Sequence, residues 1–210
     1  MKPGIIFDMD GTLWDSAKEV IDAWNQVIEK LPDKDHLVNL DEMYSLMGKT
    51  MDEIAANVFP NMDINRRNQV MELCCEREND YLKAHGGQLY PKLEETLKEL
   101  EKSYDLYIVS NCQCGYIEAF LSYYGFAHYF KDFESFGNTQ KLKAENIKSV
   151  VARNHLKQAV YVGDTLGDYT ATTEAGIEFI FAAYGFGEVI DAKYRIEAFE
   201  NLPKLLDKLF

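Results

Sequence analysis

The chain opens on an apolar run, Gly4-Ile5-Ile6-Phe7, with no polar position on either face, which predicts a short strand covered on both sides. From residue 15 the period changes. Val20, Ala23, Trp24, Val27, Ile28 and Leu31 recur at intervals of three and four, and Pro32 stops that helix. The same spacing predicts helices over 41–47, 51–58 and 64–83, punctuated by Gly48, Pro60 and Gly86-Gly87, with no strand pattern among them. Past Pro91 the texture alternates. Helices are expected over 93–102, 116–124, 143–154, 168–175 and 202–209, and apolar strands over 106–109, 160–162 and 179–182. A short edge strand is expected over 133–136. Strands spaced by helices imply an α/β fold with a parallel sheet and right-handed crossovers. The all-helical block is then an insertion: one α/β domain from 1–15 and 88–210, and an α-helical domain over 16–87.

Composition narrows the partners more than the fold. With 210 residues, 47% hydrophobic and 27% charged, the chain reads as an ordinary soluble globular protein. Its longest apolar runs, such as Ala159-Val160-Tyr161-Val162, are far too short to span a membrane. No basic leader precedes an apolar stretch, so a cytoplasmic protein is expected. Acidic residues outnumber basic ones 35 to 22, a net charge of −13, which argues against a nucleic-acid partner. A small phosphorylated metabolite stays compatible with that charge if a metal and a few local cations neutralise it. The cysteines Cys74, Cys75, Cys112 and Cys114 form no disulfide framework, and Cys112-x-Cys114 lacks a second pair at metal spacing. Reduced thiols are expected.

Chemistry collects where the strands end. Asp8 and Asp10 follow the first strand at a spacing of two, which in extended backbone turns both to one side. Two carboxylates that close repel unless a cation or a shared proton relieves them. Ser110-Asn111 follows the second core strand, and Gly163-Asp164 with Asp168 follows a later one. Ligands of open α/β sheets bind at those carboxyl ends, so distant segments converge on one site.

These motifs, Asp8-Met9-Asp10-Gly11-Thr12, Ser110-Asn111, Lys143 and Gly163-Asp164-Thr165-Leu166-Gly167-Asp168, occur in the order that resembles the haloacid dehalogenase superfamily of phosphotransferases. The resemblance covers the whole chain and implies a Rossmann-like core with a C1-type helical cap. It implies that Asp8 is the nucleophile that becomes an aspartyl-phosphate, and that Asp10 is the general acid and base. It also implies one Mg²⁺ on the Asp8 carboxylate, the Asp10 backbone carbonyl and the Asp164 carboxylate, with Asp168 orienting these ligands. Ser110, Asn111 and Lys143 would hold the phosphoryl oxygens. Lys141 competes for that last role, but Lys143-Ala144-Glu145-Asn146-Ile147 resembles the family's motif better. Read alone, Ser110-Asn111 would be ordinary helix-capping residues and Asp168 a helix N-terminal acid.

Dehalogenases of the family lack a carboxylate at the position of Asp10, so the resemblance implies phosphate-ester chemistry. Gly48-Lys49-Thr50 looks like a phosphate-binding loop, but Met43 stands where that loop needs glycine and no strand precedes it. In the family's cap a loop there reaches the active site, which makes Lys49 a candidate substrate contact. Thr12, Trp14 and Ser16 fall where the family carries its cap hinge. The layout most resembles phosphoglycolate phosphatase-like members. The expected protein is a Mg²⁺-dependent phosphatase of a small phosphomonoester (phosphoglycolate-like, a sugar phosphate or a nucleotide), monomeric or homodimeric. A β-phosphoglucomutase-like mutase would use the same core residues. A receiver-like phospho-aspartate signalling module would be much shorter and would lack the helical insertion.

Overall fold

The computed structural model describes residues 2–210. Strand β1 (Gly4–Phe7) is buried along its whole length because it lies in the middle of the sheet. Ile5 and Phe7 enter one apolar cluster and Ile6 the cluster on the opposite face, so the run needs no polar position. The chain then leaves the sheet through β2 (Trp14–Asp15) and runs through α1 (Ala17–Ile28), α2 (Leu40–Leu46), α3 (Met51–Val58) and α4 (Ile64–His85). It returns through β3 (Gln88–Leu89), which pairs antiparallel with β2, Trp14 opposite Leu89 and Asp15 opposite Gln88. The four inserted helices share an apolar cluster of their own, in which Val20, Trp24, Ile28, Met43, Ile54 and Cys74 are buried.

The remainder is α5 (Leu93–Leu100), β4 (Asp105–Ser110), α6 (Tyr116–Tyr124), β5 (Phe130–Ser135), α7 (Phe136–Thr139), α8 (Lys143–Arg153) and β6 (Ala159–Gly163). It closes with α9 (Leu166–Ala175), β7 (Glu178–Ala182), β8 (Tyr194–Ile196) and α10 (Leu202–Leu206). The six-stranded sheet has the order β5-β4-β1-β6-β7-β8, parallel throughout. Phe7 lies opposite Ile108 on one side and Val162 on the other. The chain therefore builds outward from β1 in both directions, which makes the carboxyl end of β1 a topological switch point. Asp8, Ser110 and Asp164 sit at the carboxyl ends of three adjacent strands for that reason.

Several expected boundaries shift. The strand expected over 133–136 runs over Phe130–Ser135, and Ser135 then caps α7 by accepting from the Asn138 amide. Helix α9 begins at Leu166, not 168, because Thr165 is its N-cap and Asp168 is the third helical residue of a capping box. Helices α5 and α10 end at Leu100 and Leu206, short of the expected 102 and 209. Strand β8 was not expected: of its three residues only Ile196 is buried, too little to make a pattern. Strands β2 and β3 have two residues each, too short for a period to show.

Candidate active site

Asp8, Asp164 and Asp168 are buried and each brings a carboxylate oxygen within 4.8 Å of the other two. Among the described residues the lone cation beside them is Lys143, at the start of α8, with Nζ 2.5 Å from Asp168 Oδ1 and 3.1 Å from Asp8 Oδ1. Asp168 is fully occupied. Its Oδ2 accepts from the amides of Asp164 and Thr165, at 3.2 and 3.0 Å, and from Thr165 Oγ1 at 2.7 Å. Asp164 is half occupied, its Oδ2 accepting from the Phe186 amide at 2.7 Å while the buried Oδ1 has no donor. Asp8 Oδ1 is also buried, with the Lys143 ammonium at ion-pair distance as its one polar neighbour of opposite charge among the described residues.

Two buried oxygens without donors, in a cluster of three acids and one lysine, fit a hard divalent cation. The backbone leaves room for Asp164 deliberately. A Cβ on Gly11, whose φ is +81°, would stand 2.0 Å from Asp164 Oδ2, and one on Gly185 would stand 2.3 Å from Asp164 Cβ. Ionisation follows the donors. Burial and the neighbouring Asp168 charge push Asp8 up to about 7. Burial, Asp168 and Asp8 push Asp164 well above the usual carboxylate range. Burial acts on Asp168 as well, but the Lys143 ammonium and the Thr165 donors outweigh it and hold that carboxyl low.

Asp10 is held differently. Its Oδ1 accepts from Tyr116 OH at 2.6 Å and Ser16 Oγ at 2.7 Å, and those two hydroxyls lie 2.7 Å apart. Burial raises its pKa to about 6 against the pull of both donors. Ser16 precedes α1 and Tyr116 lies in the first turn of α6, so Asp10 is held by two segments far apart in sequence. Tyr116 was missed in the sequence, although it lies just past the carboxyl end of β4, where the strand-end argument applies.

The other expected residues separate. Ser110 is buried at the end of β4 and lines the cavity above Asp8. Asn111 Nδ2 donates to the Gly48 carbonyl at 3.0 Å, so it ties the core to the inserted helices as well as lining the cavity. Lys49 lines the same cavity, half-buried and without an ion pair among the described residues. Lys141 is exposed, whereas Lys143 is buried in the acidic cluster.

The cavity has a volume of about 40 Å³, with Asp8, Asp10, Ser110 and Asn111 below and Trp24, Met43, Met47, Met51 and Ile54 above. Glu78 of α4 also lines it, buried, and sequence reasoning passed over that residue. The signal was there: Val70, Cys74, Glu78 and Leu82 recur every four residues and all are buried, so an acid occupies a slot of the apolar stripe.

Comparison with known proteins agrees with this architecture. Residues 5–182 match the family model described as Haloacid dehalogenase-like hydrolase. A phosphoglycolate phosphatase of Vibrio vulnificus is 28% identical over 222 residues, 97% of this chain and 94% of that protein. One from Psychrobacter arcticus is 23% identical, covering 98% and 94%. Among solved structures, CbbY from Rhodobacter sphaeroides in complex with phosphate superimposes with a TM-score of 0.82 at 20% identity, covering 96% of each chain. A haloacid dehalogenase-like family protein from Streptococcus pneumoniae gives 0.78 at 22% identity, covering 100% and 99%. The chain belongs to the haloacid dehalogenase-like hydrolases. Within that family it is a phosphoric monoester hydrolase, like phosphoglycolate phosphatases.

Proposed function

We propose that the protein hydrolyses small phosphomonoesters with Mg²⁺, through an aspartyl-phosphate on Asp8. The observation that carries this reading is the pair of buried, donor-less oxygens on Asp8 and Asp164 beside Lys143. The Asp8 and Asp164 carboxylates and the Asp10 backbone carbonyl would hold Mg²⁺, which when bound offsets negative charge on the phosphoryl oxygens.

In the first half-reaction a carboxylate oxygen of Asp8 attacks phosphorus and the bond to the leaving alcohol breaks. Asp10, its pKa raised by burial to about 6 and so nearer to neutral pH, gives a proton to the departing oxygen. In the second half Asp10 takes a proton from a water that attacks the same phosphorus, releasing inorganic phosphate and restoring Asp8. Lys143 and Ser110 flank the phosphoryl oxygens and steady their charge. Asp168 acts at one remove, holding Lys143 and the backbone at 164–165 in place.

Residues 16–87 work as a cap on a core made of 1–15 and 88–210. Support comes from the cap's separate apolar cluster and from the β2–β3 pairing at its two ends. The cavity lies between the cap helices and the strand ends of the core, so substrate enters when the cap lifts away. No helix among the described residues is long and apolar enough to cross a membrane, and the cysteines are all free, which favours the cytoplasm.

The test is phosphate release from a panel of phosphorylated metabolites. Activity should vanish with EDTA and return with Mg²⁺, and Asp8→Asn should abolish it. Turnover by Asp8→Asn near the parent rate would remove Asp8 from its role. A hexose phosphate isomerised with little free phosphate would indicate a mutase instead.

A further inference from the structure

Glu78 stands midway along α4 with 3% of its surface exposed, facing the cavity that also holds Asp8 and Asp10. Trp24 Nε1 donates to its Oε2, and no lysine, arginine or histidine pairs with it among the described residues. The neighbouring cap wall is apolar, formed by Met43, Met47, Met51 and Ile54. A buried carboxylate without a cation is costly, and a glutamine would accept the indole hydrogen bond as well. The acid is therefore over-provided for a purely structural tie. Burial pushes its pKa up to about 7 against the donors around it.

We propose, resting on the phosphatase reading, that Glu78 is a specificity residue that accepts a hydrogen bond from a hydroxyl or ammonium group on the leaving alcohol. The preferred substrates are then phosphomonoesters whose organic part carries such a donor. A leaving group that ends in a carboxylate, as in 2-phosphoglycolate, meets like charge in a place where solvent screens it least. Lys49 lends a positive charge to the same cavity, but it is half-exposed and its field is shared with Glu53. A buried polar group left without its partner discriminates strongly against ligands that lack one.

The experiment compares kcat/KM of the full chain with Mg²⁺ on four esters: glycerol 3-phosphate, phosphoethanolamine, ethyl phosphate and 2-phosphoglycolate. At least one donor-bearing ester should exceed both ethyl phosphate and 2-phosphoglycolate by about tenfold or more. Which of the two leads tells a hydroxyl donor from an ammonium. Glu78→Gln, which keeps an acceptor for Trp24, should shrink the preference over 2-phosphoglycolate by about tenfold, chiefly through KM. A parent enzyme that favours 2-phosphoglycolate overturns the proposal. So does a variant that loses rate on all four esters alike, the mark of a structural role. Absence of phosphate release from every ester, p-nitrophenyl phosphate included, would overturn the phosphatase reading and this proposal with it.

Discussion

Replacing Lys143 by methionine keeps an unbranched stem of similar length and deletes only the ammonium. In the parent that ammonium lies 3.1 Å from Asp8 and 2.5 Å from Asp168, with 5% of the side chain exposed. Removing one partner of a buried ion pair costs about 3–5 kcal/mol. A second route gives the same size. If the cluster relieves itself by protonating one carboxyl at about pH 7, it works against an ordinary pKa of 3.8, roughly three units at about 1.4 kcal/mol each, or about 4 kcal/mol. At about 2–4 °C per kcal/mol for a chain of this size, Lys143→Met should melt about 8–16 °C below the parent in EDTA. The sign with pH follows from the proton taken up. The Lys143 ammonium holds Asp168 low in the parent, so the folded variant binds one proton more than the folded parent and the deficit shrinks by about 1.4 kcal/mol per unit as pH falls. Mg²⁺ should return about 2.7 kcal/mol at a hundredfold excess over its dissociation constant. Thermal melts in EDTA at about pH 7 and pH 5, then with Mg²⁺, read all of this. A melting temperature within about 2 °C of the parent in EDTA, or a deficit that grows on acidification, would refute the reasoning.

Two further substitutions probe separate parts of the site. Tyr116→Phe deletes a donor that favours the charged form of Asp10, so the Asp10 pKa should rise above about 6. Because Asp10 must be protonated to assist departure, the alkaline limb of kcat/KM on an alkyl phosphate should move up by about one to two pH units, from a hydrogen bond to a charged group worth about 1.5–3 kcal/mol. p-Nitrophenyl phosphate, whose leaving group needs no proton, should be indifferent, and a limb that stays or moves down contradicts the role. Gly11→Ala pushes a methyl to 2.0 Å from Asp164 Oδ2 in a backbone at φ +81°. It should abolish both turnover and the Mg²⁺-induced rise in melting temperature, and parental values of either would show that Asp164 is dispensable.

How much of this was legible depends on whether a residue acts through its neighbours in sequence or across the fold. Asp8, Ser110 and Asp164 stood out because each ends a fully apolar strand, and burial of those strands fixes where their ends point. The inserted helices were legible because their apolar stripe makes a cluster apart from the sheet. The pairing of β2 with β3 was not, since two residues carry no period. The Ser16–Tyr116 contact joins residues 100 positions apart, and nothing local to either announces it. Glu78 lay in between: its spacing from Cys74 and Leu82 marked a buried slot, but helix α4 is so polar overall that the stripe was faint.

The three clustered acids are chemically identical in the sequence and become different through the donors each receives. Asp168 takes two amides, two hydroxyls and an ammonium, so its pKa falls despite full burial. Asp164 takes one amide and Asp8 an ion-paired lysine, too little to offset burial and the neighbouring acids, so both pKa values rise. Proximity alone groups all three as potential metal ligands. Donor count separates them, because an oxygen already holding its full set of hydrogen bonds would have to surrender them to bind a cation. Asp168 is thus the acid that keeps Lys143 charged and placed, while Asp8 and Asp164 carry the unmet demand for positive charge. With all three carboxylates ionised against one ammonium the cluster would be two charges short of neutral, the difference a divalent ion would supply.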